Sequence, residues 1–216
     1  MTTFGTEGEL DTRRIEEFWR WFSGIARDLS MEPENKDLLQ KLDSKVRSLH
    51  PAIAWEIGPG ERDTWQLVIS PDLDPDLLPV TEAIISHAPT ISGWEFHAAR
   101  QPKDWNNEFE MERNGGSVSI DARDWKYVLL RYPDGNVEIL LHGDNAKHLS
   151  KEERWQAASI FLQGILGEKP LLDKHLSFDL SDKIEENLRD KLKPISLLPQ
   201  AFGFRSESHS RSQNPQ

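Results

Sequence analysis

The stretch WKYVLLRYPDGNVEILLH, residues 125–142, decides the fold class. Two apolar runs, 125–132 and 137–142, flank the sequence PDGN, which is typical of a β-hairpin turn. Ser150 and Glu153 then predict a capping box that opens a helix over 151–166, and HLSFDL (175–180) predicts one more strand. The order of elements is therefore hairpin, helix, strand, or ββαβ.

An earlier stretch predicts the same order. AIAWEI (52–57) and TWQLVIS (64–70) form a predicted hairpin, followed by a helix from about Pro75 to Ala88 and the strand GWEFHAA (93–99). The similarity is one of pattern, and it arises either from a structural duplication or by chance. In both cases we expect an α+β protein with a mainly antiparallel sheet, in one or two pieces, and with its helices on one face.

Two amphipathic helices, 12–29 and 34–49, precede the first hairpin. In the first, apolar residues recur at three- and four-residue steps and form one stripe, while Trp21 falls at its margin. The predicted organisation is a helical hairpin at 12–49 packed on the main domain, an α+β core at 50–181, a C-terminal helix (about 182–191) with an apolar extension to 204, and a disordered tail at 205–216.

The segment EFEME alternates between acidic and apolar residues. A strand there would place Glu108, Glu110 and Glu112 on one face and two apolar residues on the other. The chain carries a net charge of −11, and residues 51–150 hold seventeen acidic against eight basic residues. Such a negative field steers basic partners, or it simply keeps a surface soluble.

The strand at 93–99 offers an alternative site. Glu95 and His97 share one strand face, and Arg100 follows closely. If both faces of this strand are covered, the three residues form a partly buried acid–base group, and such groups mark functional sites. If that face lies in solvent, they are ordinary surface residues.

Eight tryptophans are many for 216 residues. Most fall on apolar-periodic positions, Trp155 included, so we expect them in the core. Trp21 and Trp105 are the candidates for exposure and for contact with a partner.

The sequence lacks the motifs of several well-known catalytic and binding sites. The chain has no cysteine, no phosphate-binding loop, no dinucleotide fingerprint, no nucleophile elbow and no HExxH motif. His142, Asp144 and His148 lie on one short loop without a distant fourth ligand, which is weak support for a metal. We expect no metal and no cofactor.

Charge and hydropathy indicate which partners and which cell compartment to expect. An acidic chain does not favour nucleic acid, and no long apolar run predicts a membrane span. The sequence MTTFGTEGELD lacks the basic and apolar regions of a signal peptide, so we expect a cytoplasmic protein.

Several segments of the sequence resemble those of a known group of proteins. FWRWF (18–22), the LVIS and GWEFHAARQP segments within 64–102, and LQGILGEKPLLD (162–173) resemble a family of uncharacterised bacterial α+β proteins. The resemblance covers about residues 12–180 and implies a bacterial cytoplasmic setting. It brings no functional residue with it.

Two hypotheses follow. The first is a non-enzymatic interaction module, antitoxin-like or regulatory, that binds a basic protein through its acidic surface, with Trp21 and Trp105 as further contacts. The second is a small-molecule-binding protein or metal-dependent enzyme centred on Glu95, His97 and Arg100. The sequence leaves the oligomeric state open.

Overall fold

The computed structural model describes residues 11–61, 63–113 and 115–203. The chain forms two compact units that divide between Gln101 and Pro102, inside the stretch that sequence analysis treats as one core. The α+β class is confirmed, with a pair of helices ahead of a series of short strands. The predicted tail at 205–216 lies outside the described residues.

The first unit begins with the predicted pair of helices. Helix α1 spans Thr12–Met31, and the Asp11 side chain caps it by accepting a hydrogen bond from the N–H of Arg13. Helix α2 spans Lys36–Leu49 and begins after Asn35, which caps it in the same way. The apolar stripe predicted for α1 is confirmed, since all its members are buried: Ile15, Phe18, Trp19, Phe22, Ala26 and Leu29.

The first ββαβ segment follows. Strands β1 (Ala54–Pro59) and β2 (Trp65–Ser70) pair antiparallel. A short 3-10 turn then leads into helix α3 (Leu78–Ser86), and strand β3 (Trp94–His97) returns parallel to β2. The resulting sheet has the order β1-β2-β3.

Helix α1 packs on one face of this sheet. The indole N–H of Trp94 donates to the carbonyl of Ala26 at 3.1 Å, and the rings of Phe22 and Trp94 meet edge to face with centroids 5.0 Å apart. The indole of Trp19 donates to the carbonyl of Ile84 in α3 at 2.8 Å. Helices α1 and α3 therefore share one apolar cluster on the same side of the sheet.

The second unit begins with a separate two-stranded ribbon, β4 (Glu108–Arg113) paired antiparallel with β5 (Gly116–Asp121). Strands β6 (Lys126–Arg131) and β7 (Val137–His142) form the predicted hairpin. Helix α4 (Lys151–Leu166) carries the predicted capping box of Ser150 and Glu153.

The chain then returns to this second sheet. Strand β8 (Leu176–Ser181) lies parallel to β7, and the two-residue strand β9 (Lys193–Pro194) adds to β6, so that the sheet order is β8-β7-β6-β9. The short helix α5 (Leu198–Ala201) follows. Both ββαβ segments thus have an antiparallel hairpin and a parallel third strand, and they lie in separate sheets.

Two local predictions are wrong. The charged helix expected over 182–191 is a 3-10 turn at Glu186–Lys191, in which Leu188 is the buried residue. So short a segment with so little burial gains little from packing as an α-helix. Trp155 was expected in the core, but 55% of its surface is exposed. It lies in the second turn of α4, where Phe178 of the edge strand β8 stacks against it at 6.2 Å.

Candidate functional site

The acidic ribbon, which we define as β4 and β5, places carboxylates on one face. Glu108 lies opposite Asp121, while Glu110 and Glu112 lie opposite serines. Because side chains alternate along a strand, these carboxylates share a face. All four are exposed, so the sequence correctly predicted a strand that presents Glu108, Glu110 and Glu112 together.

The other face of the ribbon is anchored by apolar contacts. Met111 and Ile120 are buried, and the ring of Phe109 lies 5.6 Å from the ring of Trp105, centroid to centroid. Trp105 in turn lies 6.2 Å from Phe161 of α4. The ribbon is therefore attached to its unit by one face while the carboxylate face points away from that core.

Polar contacts fix the ends of the ribbon. The guanidinium of Arg113 pairs with the carboxylate of Glu153 at 2.5 Å and also donates to the carbonyl of His148. At the other end, the amide of Asn145 donates to the carbonyl of Asp121 at 2.8 Å. These contacts reduce the freedom of the ribbon to twist or fray.

Charge is unevenly compensated along the carboxylate face. Arg123 pairs with Asp121 at 2.6 Å and with Glu108 at 2.9 Å. Hydrogen bonds from the side chain and backbone of Arg123 lower the pKa of Asp121 to about 2. No described residue forms a hydrogen bond or ion pair with the side chain of Glu110 or Glu112, so uncompensated negative charge lies towards the tip of the ribbon.

The alternative group lies on the sheet of the first unit. The Nε2 atom of His97 is 3.6 Å from the Oε2 atom of Glu95, and both side chains are a little over a quarter exposed. The hydroxyl of Thr64 donates to Glu95, and this bond is the main cause that holds the pKa of Glu95 below its ordinary value. A carboxylate that stays ionised in this way is a poor proton donor near neutral pH.

Arg100 lies near this pair but contacts other carboxylates. Its Nε atom lies 3.7 Å from Glu56, and its terminal nitrogen lies 3.1 Å from Asp72. The structure thus places Glu95 and His97 side by side, as strand alternation predicted, and places Arg100 in a neighbouring ion-pair group.

The two tryptophans proposed as contact residues are both partly buried. Trp21 packs against the core of the first unit, with its ring centroid 6.2 Å from that of Phe18. Trp105 lies between Phe109 and α4, and its indole N–H is buried without a hydrogen-bond partner among the described residues. Among the described tryptophans, the most exposed is Trp155, which sequence periodicity placed in the core.

His142, Asp144 and His148, the weak metal candidates of the sequence, lie at the end of β7 and in the 3-10 turn that follows it. His142 and Asp144 lie 3.9 Å apart. Across the described residues, no group of three or more His, Asp or Glu side chains is arranged to hold a metal ion. The described helices also include none that is long and apolar enough to cross a membrane.

Sequence reasoning missed a further polar group, which lies in the second sheet at the opposite end of β7 from His142. There the turn between β6 and β7 meets the start of β8 and forms a cleft of about 500 Å³. Its residues lie some forty positions apart in the chain, and the PDGN turn was the one signal that could have drawn attention to it.

Comparisons with known proteins add no further guide. No protein-family model, no curated protein and no solved structure matches the chain. The family resemblance of the three phrases stays a prediction.

Proposed function

We propose that this chain is a non-enzymatic interaction module that binds a basic protein through the acidic ribbon. The observation that carries the proposal is the row of Glu108, Glu110 and Glu112 on the exposed face of β4. An antitoxin-like or regulatory subunit would use such a surface. The proposed setting, a bacterial cytoplasm, rests on the family resemblance alone.

Strand geometry supports a role in recognition. Alternate residues on a strand lie roughly 7 Å apart, so the carboxylates form a row with regular spacing. Lysine and arginine side chains on a partner could each pair with one carboxylate. The serines opposite Glu110 and Glu112 add hydroxyl groups beside the row without neutralising it.

Rigidity supports the same role. The apolar face of the ribbon packs against Trp105 and α4, and Arg113 holds its tip to Glu153. A surface that is already ordered loses less conformational entropy on binding. Complementary charges on such a surface mainly accelerate encounter, and salt screens this effect.

The test is affinity capture from a native bacterial lysate with the purified chain immobilised. The ribbon variant carries Glu108→Gln, Glu110→Gln and Glu112→Gln. A control variant with Glu16→Gln, Asp28→Asn and Glu34→Gln removes three exposed charges from the first unit, so both variants have the same net charge.

We expect basic proteins to bind the original chain and the control variant and to be lost from the ribbon variant. Capture should weaken at about 0.5 M salt, where the Debye length falls to a few ångströms. Equal loss of capture by both variants would show that binding follows net charge, and equal capture by all three proteins would show that another surface binds. Either result would refute the ribbon as the binding site.

The pair of Glu95 and His97 supports the second candidate, a small-molecule site that includes Arg100. The distance of 3.6 Å between these two side chains and their partial burial favour it. His97→Ala should abolish such an activity and leave ribbon-dependent capture unchanged. If His97→Ala also abolishes capture, the two surfaces do not act independently as proposed.

A further inference from the structure

The cleft in the second unit has a defined set of polar groups. It lies where the β6–β7 turn meets the start of β8, and its main lining residues are Tyr132, Asp134, Asn136, Glu138, Lys174 and His175. The backbone N–H of Val137 donates to the carbonyl of His175 at 2.8 Å, which holds the two segments together.

A chain of hydrogen bonds orients the imidazole of His175. The amide nitrogen of Asn136 donates to the carboxylate of Asp134 at 2.8 Å. The amide oxygen of Asn136 therefore faces Nδ1 of His175, 3.1 Å away, and since an amide oxygen only accepts, Nδ1 must carry the proton. In the neutral ring the lone pair is then on Nε2, which has no partner among the described residues.

A tyrosine and a glutamate form a second hydrogen-bonded group in the cleft. The hydroxyl of Tyr132 donates to Glu138 at 2.7 Å. That hydrogen bond, with the nearby charges of Glu138, Asp134 and Glu185, raises the pKa of Tyr132. The exposed phenol ring thus lies beside a carboxylate, an arrangement that attracts cations to the ring face and to the carboxylate together.

We propose that this cleft binds an organic cation that carries an alkylated guanidinium or ammonium group. Glu138 is the counter-ion, the ring of Tyr132 covers the aliphatic part, and Nε2 of His175 accepts a hydrogen bond from the cation. Lys174 opposes the cation, but Asp134 and Glu138 outnumber it among the lining residues. This site is separate from the ribbon and does not depend on the function proposed for it.

The experiment titrates the whole chain with propylguanidinium while its tyrosine ring resonances are followed by NMR. The chain has two tyrosines, and Tyr127 is buried in the same sheet, so it is an internal control for folding. We expect a saturable shift of the Tyr132 resonances and none at Tyr127. The neutral analogue propylurea should cause no saturable shift.

Three variants test the assignment. Glu138→Gln should weaken binding by at least about tenfold, because a charge-assisted hydrogen bond is lost. Lys174→Gln should tighten binding by about two- to threefold, because an opposing charge is removed. Glu17→Gln, which removes an exposed carboxylate from α1, should leave binding unchanged.

The source of the cation is resolved by a second titration, with the capped tripeptide acetyl-Gly-Arg-Gly-amide. Binding at least tenfold tighter than that of propylguanidinium identifies a protein side chain as the ligand, and equal binding identifies a free small cation. The proposal is overturned if propylguanidinium gives no saturable shift, if propylurea binds equally well, or if Glu138→Gln binds as the original chain does. None of these results bears on the ribbon, whose test uses other residues.

Discussion

The two ββαβ segments have the same topology but are covered by different elements. In the first unit, the amphipathic helix α1 packs its aromatic stripe on the sheet, with Phe22 against Trp94. In the second, the ribbon packs through Phe109 and Trp105 onto α4. A shared strand order therefore does not determine which surface each unit presents.

The covering elements differ in what they leave exposed. A helix buries one stripe and spreads its polar residues over a wide arc, whereas a strand divides its side chains between two opposite faces. In the ribbon this division separates apolar anchors from carboxylates completely. The second unit consequently has a regular acidic row, whereas the exposed face of α1 mixes both charge signs, as at Arg13, Arg14, Glu16 and Glu17.

The largest predicted effect concerns the aromatic centre of each unit. Phe22 and Phe161 are both fully buried and both contact other rings. Each change to alanine should cost about 3–5 kcal/mol in the free energy of unfolding, from lost burial and a residual cavity. Trp21→Ala should cost clearly less, since Trp21 is only partly buried. Urea unfolding followed by circular dichroism measures all three, and equal costs at Trp21 and Phe22 would contradict the burial pattern of α1.

A second prediction compares a helical glycine in each unit. A Cβ added at Gly164 of α4 would overlap the indole ring of Trp105, while one added at Gly24 of α1 meets nothing within 4 Å. Gly164→Ala should therefore destabilise the protein by about 1–3 kcal/mol. Gly24→Ala should stabilise it by about 0.5–1 kcal/mol, because alanine favours the helix.

Thermal and urea unfolding of both glycine variants provide the measurement. A gain in stability at Gly164 would show that Trp105 can move away at no cost. It would also mean that the ribbon is held less firmly than its contacts with α4 indicate.

Periodicity predicted the elements whose burial is local. The stripe of α1 and the capping box of α4 were both correct, because spacing and capping chemistry act within one or two turns. The alternation of Glu108, Glu110 and Glu112 predicted the exposed face of the ribbon for the same reason.

Long-range neighbours could not be predicted in this way. Trp155 fits the periodic stripe of α4, yet it is largely exposed even though Phe178 of the edge strand β8 stacks against it. The contact between Asn136 and His175 joins residues 39 positions apart and exists because β8 pairs in parallel with β7. A single sequence does not contain the register of that pairing.

A third prediction concerns the carboxylate of Glu95. The pKa of this carboxylate is lower in the folded protein than its ordinary value. The ionised carboxylate therefore stabilises the folded protein above the unfolded pKa of about 4.3. This stabilisation is lost as the pH falls through the folded pKa. Thr64→Val should cost roughly 1 kcal/mol at pH 7, since it removes the hydroxyl that donates to Glu95. The difference between variant and original chain should shrink below about pH 4.

Arg113→Gln provides the matching case in the second unit. The hydrogen bond with Arg113 is the main cause that lowers the pKa of Glu153. The stability that Arg113→Gln removes should therefore also shrink at acidic pH. Because that contact is an ion pair whose arginine is exposed, salt should reduce its contribution to stability, whereas the hydrogen bond of the Thr64 hydroxyl should be insensitive to salt. Urea unfolding at several pH values, at low and at high salt, measures both effects. An equal response of the two variants to salt would contradict the prediction.

The smallest predicted effect on stability is that of the ribbon variant with glutamine at 108, 110 and 112. All three side chains are exposed, and like charges on one strand face repel each other, so their removal should change the free energy of unfolding by no more than about 0.5 kcal/mol. The change at Glu108 also removes its ion pair with Arg123. This loss offsets part of the stability gained from reduced charge repulsion at the other two positions. Unfolding of the ribbon variant beside the control variant with changes at 16, 28 and 34 would measure this. A loss of several kcal/mol would mean that the carboxylate row is needed for folding, and reduced capture of a basic partner could then no longer be attributed to recognition.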